Sequence, residues 1–499
     1  MKLHLLTSPM LPTFGINRVK KGELAESMYP PLGILYLAAY IRKFFPEVQI
    51  KATDGLLKGF PETQKEIQDF SADIIGISSF TGNFTGAVKL VRFIKKQQPN
   101  VLVILGGVHV SNLIADSLKR SQADFIAVGE GEDILKQIIS KYHKFKNQKN
   151  SSLLTLSSQL NSIPGLAYLK NGRFHQNPLM PLIKNLDDIP FPARDLIDLK
   201  DYHGWSVAKF RPEVSLFSTR GCPYSCTFCS KGVWKLQKPF VRLRSPQNVV
   251  AEIKELINKF GIREYYDWAD EINSSYEWAI ALCQEKIKQK MTIPWKCYVR
   301  ADKITPEIAH LLKKSGCWYV QMGIESGNQK TIDHLRKMIT LEQVEKSCRL
   351  LQKEGIKICG LFMLYNAWEE NGQLGFETSS DSLNTLKYAN GLIKKGLVNN
   401  ITWSHATPFP ASCLYDVAQK YNLISKKYQN HWEYWNNTWS FDMDLPGISE
   451  KERQWVKIKG SFYQAYSMIR TGNLPLNSLP YLFTKGLSLV SRLPHLLQN

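Results

Sequence analysis

Long hydrophobic runs, export signals and clustered arginines are all missing from this sequence of 499 residues. The most apolar stretch, Tyr29 to Ile41, has thirteen residues and is too short to cross a bilayer as a helix. The amino terminus lacks the basic region, apolar core and small-residue cleavage site of a signal peptide. We therefore expect a cytoplasmic protein.

The chain carries a large excess of positive charge, which is spread evenly along the sequence. A formal charge of +20, from 64 Lys and Arg against 44 Asp and Glu, permits binding to anionic partners. No arginine-rich block of the kind that marks an RNA-binding arm interrupts this distribution. We interpret the charge as a solvated basic surface, and no nucleic-acid partner is expected.

Cysteine is absent before Cys222 and after Cys413, and three of the nine cysteines form one tight group. The segment GCPYSCTFCSKG places Cys222, Cys226 and Cys229 at C-x3-C-x2-C spacing. A structural zinc site uses four ligands, and a disulfide framework uses an even number of cysteines in a secreted chain. Three thiols indicate a metal or cluster site with one position left open, although a zinc with a distant fourth ligand is the alternative. The other six are expected to be buried core thiols: Cys283, Cys297, Cys317, Cys348, Cys359 and Cys413.

The first 146 residues alternate between short apolar runs and amphipathic helical segments. Strands that are apolar on both faces and separated by helices predict a parallel, doubly wound α/β sheet. Ligands of such sheets bind at the carboxyl ends of the strands. The candidate ligand residues at those ends are Ser78, Ser79, Thr81, Gly106, Gly107, His109, Gly129 and Glu130.

The rest of the chain divides into three further parts. We expect a linker over 147–210, with a hairpin whose turn is Asn171-Gly172. Six further strand–helix units over 211–415 predict a partial (β/α)6 TIM-like barrel, with its chemistry at the strands' carboxyl ends. Residues 416–499 are expected to be a mainly helical extension that starts with a Trp-rich stretch.

The barrel motifs resemble the radical S-adenosylmethionine (SAM) superfamily. The cysteine loop, with Phe228 before its last cysteine, has the signature of that superfamily. The segments YDWADEIN, WKCYVRAD, MGIESG, GLFMLY and TPFPASCLYD follow it in the expected order at predicted strand ends. One departure is that NAWEE replaces the usual Gly-x-Pro-x-Glu after the fifth strand.

The amino-terminal part resembles the cobalamin-binding domain of the large cobalamin-dependent radical SAM class. YPPLGILYLAAYIRK, IIGISSFT, ILGGVHV and VGEGE match the pattern of that class, so the two resemblances cover roughly residues 1 to 420. SFYQAYSMIR is also similar to sequences of the anaerobic magnesium-protoporphyrin cyclase and hopanoid methylase branches. The loop Ser8 to Gly22 contains no histidine. DGLLKG has the spacing of D-x-H-x-x-G with Leu56 at the His position, but it follows the second strand and not the first, so we interpret this match as a coincidence. The resemblance therefore implies cobalamin without a protein histidine on cobalt, and His109 is expected at the corrin periphery or a domain interface.

The resemblance implies a cofactor set and a role for each candidate residue. Cys222, Cys226 and Cys229 would hold a 4Fe–4S cluster whose open iron binds SAM, and the 5′-deoxyadenosyl radical would attack an unactivated position. SAM would be held by Phe228 against adenine, Arg300 at the carboxylate, Asp270 or Glu271 at the ammonium, and Glu325 near Gly323 at the ribose or amino group. The eight residues at the first sheet's strand ends would contact cobalamin. The alternatives are ordinary ion pairs at the barrel's end, and a doubly wound domain with another ligand or none.

Methylation of an unactivated carbon or phosphorus in a small-molecule or lipid substrate is the leading hypothesis. The alternatives are a cobalamin-dependent oxidative cyclisation or rearrangement and a non-catalytic cobalamin sensor. A methylthiotransferase acting on RNA would need cysteines in the amino-terminal domain, where this chain has none. An electron donor such as flavodoxin or ferredoxin is expected. The acid-free carboxyl terminus, with Arg470, Lys485 and Arg492, predicts a possible peripheral contact with an anionic membrane.

Overall fold

The computed structural model describes residues 1–11, 29–146, 159–202, 204, 207–230, 232–435 and 442–470. Most of the loop after the first strand, much of the expected linker and the tail beyond Arg470 lie outside the described residues. Among the helices that are described, none is long and apolar enough to cross a membrane.

The amino-terminal sheet has five parallel strands in the order β2-β1-β3-β4-β5. These are β1 (Lys2–Thr7), β2 (Gln49–Asp54), β3 (Ile74–Ser78), β4 (Leu102–Gly106) and β5 (Phe125–Ala127). The helices between them are α1 (Leu32–Phe44), α2 (Gly55–Phe70), α3 (Phe84–Gln97), α4 (Val108–Asn112), α5 (Ile114–Ser121) and α6 (Glu132–Lys146). The strand order reverses between β1 and β3, which is where doubly wound sheets bind ligands.

Both faces of this sheet are covered, as the continuous apolar runs predicted. Leu3 and Leu5 face α1 and α6, whereas Leu6 belongs to the core that α3 and α5 cover on the other side. At the end of β4, Gly107 adopts φ 104°, and a Cβ there would lie 2.4 Å from the carbonyl oxygen of Ser79. Only glycine fits this close approach of two strand ends.

The predicted hairpin forms and extends the first sheet. Strands β6 (Leu166–Lys170) and β7 (Arg173–Gln176) add to β5 in antiparallel order. Asn171 and Gly172 have φ values of 51° and 74°, as a type I′ turn requires. The hairpin therefore packs with the first domain, although it lies within the expected linker.

The second part is a six-stranded sheet whose strands pair in chain order, β17-β14-β13-β12-β11-β8. All of its pairs are parallel, which confirms the partial barrel of six strand–helix units. The strands of this part of the chain, including four outside the six-stranded sheet, are β8 (Glu213–Leu216), β9 (Thr219–Arg220), β10 (Arg242–Leu243), β11 (Glu264–Asp267), β12 (Trp295–Val299), β13 (Cys317–Glu325), β14 (Lys357–Leu364), β15 (Ala367–Glu370), β16 (Gln373–Phe376) and β17 (Asn400–His405). The two short pairs, β9–β10 and β15–β16, stand outside the barrel sheet.

Several helices on the outside of the barrel begin at hydroxyl side chains. Ser245, Ser275, Thr305, Thr340 and Ser412 each accept a hydrogen bond from the backbone N–H three residues along, which satisfies an otherwise free donor. The helices are α7 (Pro246–Phe260), α8 (Tyr276–Lys288), α9 (Pro306–Lys314), α10 (Gln329–His334), α11 (Leu341–Lys353), α12 (Ser379–Lys394), α13 (Cys413–Lys420) and α14 (Glu450–Arg470).

The carboxyl-terminal extension connects the two sheets. Trp432 and Trp435 are buried in an apolar core that continues from α3 of the first domain into the barrel. Thr85 of α3 donates a hydrogen bond to Glu433 (2.7 Å), and α14 packs on β17 through Gly460, where a Cβ would meet Trp403 at 2.4 Å. The described part of the Trp-rich stretch is therefore core.

Candidate active site

The three grouped cysteines lie on a loop whose stem is the β9–β10 pair. Cys222 follows β9 after one residue, and the loop returns through β10, with Arg220 and Arg242 paired in register. All nine cysteines are free thiols; Cys222 and Cys226 are half-buried, and Cys229 is exposed. Burial raises the pKa of Cys222 to about 12, with Glu271 acting in the same direction, and burial also raises the pKa of Cys226. Thiolates in this loop therefore need a cationic group bound to them.

No three histidine, cysteine or carboxylate side chains within the described ranges are placed to hold one ion. Thiols that share a cubane cluster each bind a different iron, so they stand further apart than the ligands of one ion. Three free, partly accessible thiols on one loop supply the donor set that a 4Fe–4S cluster takes.

Arg300 lies beside the cysteine loop, at the end of β12. Its guanidinium stacks on the ring of Tyr224 at 3.6 Å, and Nε donates to Asp302 at 2.7 Å. Nη2 donates to the carbonyl of Lys337 at 2.5 Å, whereas Nη1 is buried and has no hydrogen-bond partner among the described residues. One donor of a fixed cation is thus left for an anionic group.

Glu325 ends β13 in a strained conformation. Its φ is 70°, a left-handed value uncommon for residues other than glycine, and the pairing with β14 shifts register here. Oε1 of Glu325 accepts a hydrogen bond from Nζ of Lys337 at 3.0 Å. A Cβ at Gly323 would lie 2.5 Å from this carboxylate and 2.8 Å from Nζ, so the pair needs a glycine beneath it.

The remaining predicted SAM residues surround the same charges. Oε2 of Glu271 is 3.9 Å from Nε of Arg300 and, in the part of the chain that is described, accepts no hydrogen bond. Burial raises the pKa of Glu271 to about 7. Phe228 lies 5.9 Å from Nζ of Lys337, and exposed Asp270 accepts a hydrogen bond from the N–H of Gly221. An unpartnered donor and an unpartnered acceptor beside the thiols fit the carboxylate and ammonium of an amino-acid group such as that of SAM.

Side chains fill the lower part of the barrel. Nζ of Lys296 is 2.5 Å from Glu213 and 3.4 Å from Glu264, and all three side chains are fully buried. Above them, the rings of Tyr266 and Tyr298 stack at 5.6 Å. The lower part of the barrel is therefore filled, and its chemistry is expected at the carboxyl ends of the strands, beside the cysteine loop.

A cavity of roughly 210 Å³ opens at the carboxyl edge of the first sheet. Its lining includes Ser78, Gly106, Gly107, Gly129 and Glu130, five of the eight predicted cobalamin residues. At Gly129, which has φ 94°, and at Gly33 of α1, a Cβ would meet no atom within 4 Å. The missing side chains leave room at the point where a doubly wound sheet binds its ligand, which fits a bulky group such as cobalamin.

The other three predicted cobalamin residues have contacts elsewhere. His109 stacks on Phe84 at 4.2 Å, meets Trp432 edge-on at 4.9 Å and contacts Thr81 through Nδ1 at 3.3 Å. Oγ of Ser79 is hydrogen-bonded to Asn83 at 3.2 Å. His109 therefore lies at the contact with the carboxyl-terminal extension, and these three residues stay predictions as cobalamin contacts.

The departure after the fifth strand is a hairpin inserted at the mouth of the barrel. Strands β15 and β16 form it, and Asn366 and Glu377 close its base through hydrogen bonds of 2.9 and 3.0 Å. The buried Glu377 also accepts from Ser326 at 2.9 Å, just past Glu325. Glu377 thus places a buried carboxylate directly after the hairpin, a position that sequence reasoning did not consider.

Comparison with known families assigns both parts of the chain. The B12 binding domain family matches residues 23–139, and the Radical SAM superfamily matches residues 216–369. The chain is a radical SAM enzyme with a cobalamin-binding domain. Its cofactors are cobalamin, SAM and a 4Fe–4S cluster, as the sequence predicted.

Relatives of this radical SAM enzyme match over most of their lengths. An uncharacterized methyltransferase of Pyrococcus horikoshii is 29% identical over 79% of this chain and 80% of its own. An anaerobic magnesium-protoporphyrin IX monomethyl ester cyclase of Rubrivivax gelatinosus is 25% identical over 80% of this chain and 69% of its own.

Solved structures confirm the fold of this enzyme. The cobalamin-dependent SAM radical enzyme OxsB, solved with aqua-cobalamin and SAM, superposes with a TM-score of 0.68 at 18% identity, over 98% of this chain and 70% of its own. The radical SAM methyltransferase TsrM from Kitasatospora setae, solved with cobalamin and a 4Fe–4S cluster, gives 0.63 at 16% identity, over 84% and 78%.

Sequence reasoning missed three charged residues of the site. Lys337 pairs with Glu325 from a loop after α10 that carries no motif. Arg220 and Arg242 bind Glu130, which the sequence had assigned to cobalamin. The one available signal was position, because Arg220 directly precedes the cysteine motif.

Proposed function

We propose that this enzyme methylates an unactivated carbon or phosphorus of a small-molecule or lipid substrate. The main support is that the two cofactor sites adjoin: Arg220, Val233 and Trp234 of the cysteine loop also line the cavity of the first domain. When bound, the cofactors supply a 5′-deoxyadenosyl radical and a cobalt-bound methyl group. The likeness to methyltransferases supports the same reaction.

The residues of the chain bind, orient and exclude water. Cys222, Cys226 and Cys229 are proposed to hold the cluster and to leave one iron open to SAM. Nη1 of Arg300 and Oε2 of Glu271 are buried and have no hydrogen-bond partner within the described residues, so we propose that they hold the carboxylate and the ammonium of SAM. The filled lower barrel keeps bulk water from that side, and the substrate would enter at the mouth between the loop and the cavity.

Cyclisation or rearrangement is the second candidate, and the match to the Rubrivivax cyclase favours it. Both reactions need a one-electron donor, and we propose a flavodoxin or ferredoxin. The domain limits 1–146, 147–210, 211–415 and 416–499 and a cytoplasmic location are proposed with this function.

The test is anaerobic reconstitution with iron and sulfide, followed by SAM, a reductant, methylcobalamin and candidate substrates. A methylase forms S-adenosylhomocysteine, 5′-deoxyadenosine and a methylated product. A cyclase forms 5′-deoxyadenosine with no methylated product. A protein that binds cobalamin but neither assembles a cluster nor cleaves SAM would be a sensor, which contradicts the proposal.

Peripheral membrane contact is a separate part of the proposal. Trp455, Phe462 and Ile469 on α14 are 50%, 66% and 62% exposed, and their spacing of seven residues puts them on one side of the helix. The sequence that follows, residues 471–499, contains Lys485 and Arg492 but no Asp or Glu. We expect flotation with anionic vesicles that is lost in Phe462→Glu and on truncation at Asn473. Flotation unchanged by both would contradict membrane contact.

A further inference from the structure

The stem of the cysteine loop carries two arginines side by side. Arg220 of β9 and Arg242 of β10 are partners in the register of this short antiparallel pair. The loop between them contains all three grouped cysteines and the turn that includes Trp234. A displacement of the two arginines would therefore move the base of the loop that is proposed to hold the 4Fe–4S cluster.

Two carboxylates of the cobalamin-binding domain neutralise these arginines. Nη2 of Arg220 lies 2.6 Å from Oε1 of Glu132, and Nη1 lies 3.5 Å from Oε2 of Glu130. Arg242 holds Glu130 with both terminal nitrogens, one of them at 3.1 Å, and also donates to the carbonyl of Ile183 at 2.6 Å. The four charged side chains are at most 10% exposed. These four side chains thus form a neutral group of buried charges between the two domains.

The same group forms a wall of the cavity. Glu130, Glu132 and Arg220 line it, together with Tyr36 of α1 and Trp234 of the loop. The guanidinium of Arg220 lies 5.4 Å from the ring of Tyr36 and 5.5 Å from the ring of Trp234. A ligand that fills the cavity would press on side chains that also hold the cysteine loop.

Buried ion pairs of this kind contribute less to stability than to specificity. Desolvation offsets much of their attraction, but removing one partner leaves an uncompensated charge, so the pairs favour one relative placement of the two elements. Arginine suits this task because its rigid planar fork of donors fixes the direction of the carboxylates that it binds, which the single rotatable nitrogen of lysine does not reproduce.

We propose that Arg220 is a positioning residue that couples cobalamin in the cavity to the geometry of the cysteine loop, and therefore to SAM binding. The inference rests on the proposed function only in that both cofactors bind at the sites described above. Coupling between sites is reciprocal, so cobalamin should change the affinity for SAM by the same factor as SAM changes the affinity for cobalamin.

The experiment measures binding without turnover. Cluster-loaded protein is titrated with SAM in the absence of reductant, with and without hydroxocobalamin, and the spectrum of the cluster reports binding. We expect the Kd for SAM in the wild type to change on the order of fivefold or more when hydroxocobalamin is present. In Arg220→Lys the change should fall below about twofold, while the iron content stays close to the wild type; the affinity for hydroxocobalamin alone is measured separately, because Arg220 also lines the cavity.

The matched control is Arg194→Lys. Arg194 is also a buried arginine, paired with Glu252 at 2.7 Å, but it lies outside the cavity and the cysteine loop. This variant should keep the wild-type coupling. If Arg220→Lys does not fold, Glu132→Gln removes the other side of the same pair and should lose the coupling in the same way.

Three outcomes would overturn the inference. They are a wild type that binds both cofactors without mutual effect, an Arg220→Lys variant with unchanged coupling, and equal loss of coupling in the Arg194 control. The first leaves the proposed function intact, since both cofactors still bind. A wild type that binds neither cofactor would instead contradict the proposed function and this inference with it.

Discussion

The cavity of the first domain and the mouth of the barrel leave room for a ligand in different ways. Both lie at the carboxyl ends of parallel strands, as topology requires. The cavity stays open because Gly33 and Gly129 have no side chains that would fill it. At the mouth of the barrel, Glu325 and Lys337 are packed together with Arg300, and only single atoms are left unpartnered. The first site selects by shape, and the second selects by charge.

The strongest test of the charged site removes one thiol. In Cys226→Ala we expect loss of the cluster and SAM cleavage at background level, because a cubane needs its thiolate ligands. Iron and sulfide analysis after reconstitution and the yield of 5′-deoxyadenosine measure this. The control is Cys348→Ala, which removes a buried thiol of α11 and should keep the cluster. A full cluster in Cys226→Ala would show that the loop is not its site.

A second test separates a buried lysine that is paired with a carboxylate, Lys337, from one that lies over the rings of Trp295 and Tyr265, Lys286. Lys337→Met should lower the free energy of unfolding by about 3 kcal/mol, because Glu325 is left buried without its cation. Lys286→Met, by contrast, should be neutral or stabilising, since burial lowers the pKa of Lys286 to about 7 and no carboxylate is paired with it in the described structure. Urea unfolding of both apo variants tests the difference.

The double variant Glu325→Gln with Lys337→Met serves as the control for this pair. It should recover most of the lost stability, because neither charge is then buried alone. Equal loss of stability in Lys337→Met and Lys286→Met would contradict the distinction between the two lysines.

The cavity of the first domain can be filled by a larger side chain. Gly33→Leu should weaken hydroxocobalamin binding about a hundredfold, or about 2.7 kcal/mol, because the new side chain occupies the cavity. Gly391→Leu is the matched control, since Gly391 is also a helical glycine with no neighbour within 4 Å of a Cβ, but it lies in α12 of the barrel. Absorbance titrations measure both. Unchanged binding in Gly33→Leu would place cobalamin outside the cavity.

The smallest expected effect concerns His109, which the sequence linked to cobalamin and the structure buries away from the cavity. Burial lowers its pKa to about 3, so the folded state keeps it neutral where the unfolded chain takes up a proton. Its contribution is present above pH 6.5 and is lost as pH falls toward the folded pKa, which amounts to about 2 kcal/mol at pH 5. In His109→Gln this part of the pH dependence of unfolding should disappear. An unchanged slope between pH 7 and pH 5 would contradict this assignment.

The sequence predicted what depends on local pattern. Apolar runs predicted the strands of both sheets, and Asn171-Gly172 predicted the turn of the hairpin. The spacing of the cysteines predicted a metal or cluster loop. The sequence could not predict pairs such as Arg242 with Glu130, which are 112 residues apart and meet only because two domains pack together. Glu130 lines the cavity and stays a predicted cobalamin contact, but its two arginine partners could not be foreseen. Glu377 was missed because it follows the β15–β16 hairpin and reaches Asn366 and Ser326 only through the fold.

That hairpin offers a place to work on the enzyme. Its two ends meet at Asn366 and Glu377, and next to them Ala367 and Trp368 are buried, whereas the tip is exposed. Its tip, Asn371-Gly372, has φ values of 51° and 76°, as a two-residue I′ turn requires, and Tyr421 holds it through a hydrogen bond of 2.8 Å. A spectroscopic label or a grafted peptide at this exposed tip would stand at the entrance to the barrel without disturbing the buried part of the hairpin.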